Sequence, residues 1–104
     1  YVYLICDNVN NLYKIGMTKT DIEKRIKSLQ TGNATELFIT TYHETEYPSR
    51  VESMLHNHFS SKRALSEWFN LNEEDVINFN NICQKMENII SVLKDNPFFK
   101  KNLR

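Results

Sequence analysis

Hydrophobic and polar positions divide the chain into short strands and amphipathic helices. Residues 1–6 and 12–16 are rich in β-forming side chains, and the turn-forming segment 7–11 between them predicts a β-hairpin. Alternation along the first strand places Tyr3 on one face and its neighbours on the other. Residues 37–42 are again β-branched and aromatic, and predict a further strand.

Two helices are predicted around that third strand. The first begins with a capping box, Thr20-x-x-Glu23, and ends at Thr31-Gly32-Asn33. Its buried stripe repeats at helical spacing. The second helix begins at Pro48, a residue suited to a first helical turn. The apolar positions of the two helices are Ile22, Ile26 and Leu29, then Val51, Met54, Leu55 and Phe59.

The rest of the chain predicts a short aromatic run, Trp68-Phe69-x-Leu71, and one long helix. Asn72 caps this helix, and Asp95-Asn-Pro97 ends it. The resulting order, β-β-α-β-α-(β)-α, predicts an α+β fold. We expect a small antiparallel sheet of about three strands, flanked by helices, with a long C-terminal helix.

Composition narrows the class of protein. The 104 residues, 40% hydrophobic and 25% charged, suit one globular domain, and no stretch approaches the roughly 18 apolar residues of a membrane span. The formal net charge of zero argues against binding nucleic acid by bulk electrostatics alone, although a local basic face is compatible with it. Cys6 and Cys83 have no CxxC spacing, which favours reduced thiols and an intracellular, cytoplasmic or nuclear, location.

Two charges break the helical pattern. On a helical wheel Arg25 lies about 40° beyond Leu29, and Glu52 lies within about 20° of Phe59, so both border core-facing stripes. Charges there cost free energy unless they are paired or hydrated, and such violations concentrate at functional sites. Three ordinary explanations stay open: Arg25 extends its head to water, Glu52 completes a Ser49-x-x-Glu52 capping box, or the two pair with each other.

The order of four motifs resembles the GIY-YIG nuclease family. Tyr1-Val-Tyr3 stands at the first motif, Tyr13-Lys-Ile-Gly16 at the second, and Arg25 and Glu52 follow on successive helices. The wider string, which includes Glu67-Trp-Phe69, is similar to a branch common in phages and large DNA viruses. Tyr1 replaces the glycine of the first motif, and Lys14 replaces the tyrosine of the second.

The resemblance covers residues 1–72 and implies a GIY-YIG-like nuclease core. Residues 73–104 would be a C-terminal helix and basic tail that packs on the core or serves in association. The implied activity is metal-dependent DNA endonuclease, with one Mg²⁺ or Mn²⁺ ion. The implied catalytic residues are Tyr3 as general base, Lys14 as a cation beside it, Arg25 as phosphate clamp, Glu52 as metal ligand and His56 as proton shuttle.

DNA is the expected partner. We expect contacts from Lys19, Lys24, Lys62 and Arg63, and we expect Tyr3, Lys14, Arg25 and Glu52 to share a solvent-reachable surface over the sheet. A catalytically decayed domain that binds DNA or docks a partner is the alternative. Homodimerisation through the C-terminal helix is a third possibility, although its apolar seam is shorter than a convincing coiled coil.

Overall fold

The computed structural model describes residues 1–94, which form an α+β fold on a single antiparallel sheet. In chain order the elements are β1 (Val2–Asp7), β2 (Leu12–Met17), α1 (Ile22–Thr31), β3 (Leu37–His43), α2 (Pro48–His58), a 3₁₀ turn (Ser60–Lys62), β4 (Arg63–Leu65), β5 (Trp68–Phe69), α3 (Glu73–Ile77) and α4 (Phe79–Lys94). Within residues 1–94, none of the helices has the length and apolarity that crossing a membrane requires.

The sheet has five strands, in the order β3-β1-β2-β5-β4, so the prediction of about three strands was wrong. The two strands beyond that number have three and two residues, too few to show an alternating pattern, and the shorter one, β5, is the strand given in parentheses in the predicted order. In β5, Trp68 pairs with Lys14 and Phe69 pairs with Tyr13. The aromatic run is therefore a strand whose two side chains enter opposite faces of the sheet.

Strand β1 is the centre of the fold, and all six of its residues are buried. Val2 and Leu4 join a larger core with α2 and α4, whereas Tyr3 and Ile5 join a smaller cluster beneath α1. Burial on both faces explains why the first five residues of this strand are an uninterrupted apolar run. Helix α1 covers its side only lightly, since none of its residues is buried.

The N-caps of the first two helices differ from prediction. Asp21, and not Thr20, caps α1, and its carboxylate accepts a hydrogen bond from the backbone N–H of Glu23. Helix α2 does begin at Pro48, but its N-cap is Tyr47, without a side-chain capping bond. The capping-box explanation for Glu52 is therefore wrong, because Ser49 lies inside the helix.

The predicted third helix is two helices. Asn72 forms a capping box with Asp75, but α3 ends at Ile77, with Asn78 as its C-cap, and α4 begins anew at Phe79. Helix α4 packs against α2 and the sheet through Phe79, Cys83, Met86 and Ile90. The predicted helix end at 95–97 and the basic tail lie outside the described residues. The division at residue 72 and association through the C-terminal helix stay predictions.

Candidate active site

The β1–β2 register brings the two strand motifs together. Tyr3 pairs with Gly16, and Ile5 pairs with Lys14. Because residues two apart on a strand share a face, Tyr3 and Lys14 lie diagonally on the same face of the hairpin. This is the face that carries α1, and Trp68 enters it from β5 beside Lys14.

The Arg25 side chain reaches from α1 to the Tyr3 hydroxyl. Its Nε donates a hydrogen bond to the phenolic oxygen over 3.3 Å. Arg25 is exposed, whereas Tyr3 is only 1% exposed. The expectation that all four motif residues reach solvent was therefore wrong for Tyr3, whose hydroxyl lies beneath the guanidinium. The wheel nevertheless placed Arg25 on the correct side of the helix, since its head contacts the sheet.

The Tyr3 ring lies across the backbone of Gly16. A Cβ atom built at Gly16 would overlap the hydroxyl and the adjoining ring carbons of Tyr3. The glycine of the second motif is thus required by close approach and not by its backbone dihedrals, because no glycine in residues 1–94 has positive φ.

Replacing Gly16 by alanine should displace the Tyr3 ring and separate its hydroxyl from Arg25. The ring is buried and cannot move freely, so we expect unfolding free energy to fall by about 1–3 kcal/mol, as for other overpacked cores. Thermal unfolding checks this, with Gly32→Ala as the control, because a Cβ at Gly32 meets only ordinary contacts. Equal stability of the two variants would contradict the assignment.

Lys14 contacts Glu67, the residue before β5, and Trp68, the first residue of β5. Its Nζ lies 2.6 Å from Oε2 of Glu67 and 5.7 Å from the ring centroid of Trp68. Glu67 was not among the predicted site residues, because 53 positions separate it from Lys14. The Glu67-Trp-Phe69 string was the signal for it.

His56 ties α2 to the outer edge of β2. Its Nε2 lies 2.8 Å from the carbonyl oxygen of Ile15, and since a carbonyl only accepts, Nε2 donates. That carbonyl is accessible because the β2–β5 ladder pairs only Tyr13 and Lys14 with the short strand. This bond leaves Nδ1 as the nitrogen for the proton-shuttle role predicted for His56.

Glu52 lies one turn before His56 and is half-buried. Burial raises the pKa of its carboxyl group, and the charge of Glu67 acts in the same direction. The charges of His56, Lys14 and Arg25 lower that pKa. The carboxylate is therefore electrostatically coupled to each of these groups.

Arg25 belongs to the same electrostatic group. Its pKa is raised chiefly by the hydrogen bond to Tyr3 and by the charge that Tyr3 carries when ionised, with smaller contributions from Glu67 and Glu52. Helices α1 and α2 pack on opposite faces of the sheet, and hydrogen bonds and electrostatic coupling link the five predicted catalytic residues with Glu67. The members of this charged cluster are Tyr3, Lys14, Arg25, Glu52, His56 and Glu67.

The donor set suits a hydrated hard cation. Within residues 1–94, no three His, Cys, Asp or Glu side chains converge in a way that would hold a metal, which argues against a closed site such as structural zinc. Glu52 is half-buried, and burial is the main cause of its raised pKa. A single carboxylate fits Mg²⁺, which keeps most of its waters.

The four predicted DNA-binding residues lie on separate elements. Lys19 and Lys24 are exposed, before and within α1. At the other edge of the sheet, Lys62 pairs with Asp75, and the Arg63 guanidinium lies 5.3 Å from the ring centroid of Phe69. Their contact with DNA stays a prediction.

Comparison with known proteins places this chain in a family. No curated protein and no solved structure matches it. The family described as T5orf172 domain matches residues 1–84, which include every strand, helices α1 to α3 and all members of the charged cluster. Since this match covers most of the chain, the protein belongs to the T5orf172 domain family.

Proposed function

We propose that this protein is a metal-dependent DNA endonuclease of the GIY-YIG type, which hydrolyses phosphodiester bonds. The observation that carries the proposal is the hydrogen bond from Arg25 to Tyr3, because it joins the first-motif tyrosine to the helix arginine. Lys14 and Glu52 lie in the same charged cluster. Membership of the T5orf172 domain family, whose fold is related to those of such nucleases, supports the same assignment.

Tyr3 is the general base in this proposal. A phenol ordinarily ionises near pH 10, so it can accept a proton from water at neutral pH only beside positive charge. The Arg25 guanidinium supplies that charge directly, since its Nε donates to the phenolic oxygen. Lys14, predicted for this role, instead bonds Glu67 in the free protein, and its charge acts from further along the same face.

Arg25 has two positions in the proposed cycle. In the free protein it covers the buried Tyr3 hydroxyl, and a water molecule reaches that hydroxyl only when the guanidinium shifts aside while its charge stays near the phenolic oxygen. The scissile phosphate provides the reason to shift, because a guanidinium binds two phosphate oxygens at once in a fork that lysine cannot reproduce. Substrate binding would thereby uncover the base.

Glu52 is the proposed metal ligand, and α2 presents it at the edge of β2. Glu52 would hold a divalent cation there, which would supply charge neutralisation at the phosphate and the leaving oxygen. The bond from His56 to the Ile15 carbonyl fixes this helix against the strand, so His56 positions Glu52 whether or not Nδ1 also moves protons.

One observation favours the alternative, a decayed domain that binds DNA or docks a partner. Tyr3 is nearly inaccessible, and an active enzyme must expose it in each cycle. A domain that uses the same basic residues only to bind has no such requirement.

Incubating the purified chain with supercoiled plasmid DNA separates the two functions. We expect nicked or linear product with Mg²⁺ or Mn²⁺ and none with EDTA. An Arg25→Ala protein prepared in parallel should lose about 10²- to 10³-fold in rate, the typical loss of one transition-state donor, and also controls for contaminating nuclease. Binding without cleavage would identify the decayed domain.

A further inference from the structure

We propose that Glu67 is a built-in competitor of DNA: its carboxylate occupies Lys14 in the free protein, and a backbone phosphate displaces it on binding. This inference rests on the proposed function only in taking DNA as the ligand. It assigns Glu67 a regulatory part at the site, namely suppressing DNA binding until a phosphate is correctly placed.

Unequal burial determines which partner of the ion pair would leave. The Lys14 side chain is 12% exposed and lies beside the Trp68 ring, whereas the Glu67 side chain is 39% exposed. Glu67 can turn into water at little cost, because an ion pair with an exposed member contributes little to stability. Lys14 would stay in place and exchange a carboxylate oxygen for a phosphate oxygen.

The charge balance of the cluster explains why displacement matters. Lys14 and Arg25 carry two positive charges, and Glu52 and Glu67 carry two negative charges. A phosphate approaching this balanced set gains little attraction, and the exposed Glu67 repels it directly. When Glu67 moves away, Lys14 can bind the phosphate. DNA whose phosphate does not reach Lys14 leaves the ion pair intact, so the Glu67 carboxylate lowers affinity for such DNA.

The test is the affinity of Glu67→Gln for a fluorescent DNA duplex in EDTA, where the proposed cleavage cannot proceed. We expect binding about threefold to tenfold tighter than that of the wild type at low salt. The plot of log affinity against log salt should be steeper by up to about 0.9, because no displaced carboxylate takes up a cation. Glu67→Ala should give the same gain, which guards against a folding defect of one variant.

Two controls isolate the contact. Glu36→Gln makes the same change of net charge at an exposed position between α1 and β3, and should leave affinity nearly unchanged. In a Lys14→Met background, Glu67→Gln should give no gain, because the competitor then has nothing to occupy. Thermal unfolding verifies that each variant is folded.

The outcomes separate this inference from the proposed function. Unchanged or weaker binding by Glu67→Gln, an equal gain from Glu36→Gln, or a persistent gain in the Lys14→Met background would overturn the inference while plasmid cleavage still stands. Tighter binding by Glu67→Gln, together with no plasmid cleavage by the wild type, would support the inference and contradict the proposed hydrolysis. Absence of DNA binding by every variant would overturn both.

Discussion

Replacing Glu52 by glutamine should abolish divalent-dependent cleavage and leave the protein folded and able to bind DNA. Glutamine keeps the shape of the side chain but lacks the charge that holds a cation, so we expect the rate to fall by about 10³-fold. DNA binding should persist, because phosphate contacts from basic side chains supply the affinity. Single-turnover cleavage and a DNA titration in EDTA measure the two effects, with Glu74→Gln, an exposed residue of α3, as control.

The raised pKa of Glu52 also predicts how Glu52→Gln changes the stability of the fold. A carboxyl group whose pKa is higher in the folded protein stabilises the fold below its ordinary pKa, and that contribution is lost as pH rises through the raised value. At neutral pH the ionised group therefore opposes folding, and Glu52→Gln should unfold at the same or a slightly higher temperature than the wild type. Undiminished cleavage by a folded Glu52→Gln protein would remove Glu52 from the mechanism.

Replacing Tyr3 by phenylalanine should slow cleavage by about 10²- to 10⁴-fold, the usual contribution of a general base. Phenylalanine retains the ring that packs over Gly16 and loses only the oxygen that accepts from Arg25. Loss of one such hydrogen bond should change the unfolding free energy by about 1 kcal/mol. Single-turnover rates across pH, together with thermal unfolding, test both expectations.

Tyr13→Phe is the matched control for that variant. Tyr13 precedes Lys14 on β2, but its side chain packs with the core on the opposite face of the sheet. We expect near wild-type cleavage from it. The reverse result, an active Tyr3→Phe and an inactive Tyr13→Phe, would transfer the role of base to the second motif.

The elements that sequence predicted correctly are those with long, periodic patterns. The hairpin, α1, β3 and α2 lie where alternation and helical spacing place them, to within a residue or two at their ends. The break at Asn78 was missed because the apolar spacing of the third helix continues across it. Capping was ambiguous because Thr20 and Asp21 are neighbouring residues of similar capping ability.

The site was predictable as a set of residues but not as a geometry. The off-pattern positions of Arg25 and Glu52 and their motif order pointed to them. Whether Tyr3 and Lys14 share a face depends on strand register, which the predicted turn segment 7–11 leaves open and the pairing of Asp7 with Leu12 determines. The Glu67-Trp-Phe69 string pointed to Glu67 but not to its contact with Lys14, because that contact depends on a two-residue strand with no pattern of its own.

Tyr3 and Arg25, which share a hydrogen bond, lie in parts of the fold that differ in their protection from local unfolding. Tyr3 lies on a central strand buried over its whole length, so its amide proton should exchange with solvent only on global unfolding. Arg25 lies on a helix without a single buried residue, whose local opening costs far less. On warming, the protein should therefore lose its arginine from the site while its tyrosine is still fixed, and inactivation should precede the loss of the sheet.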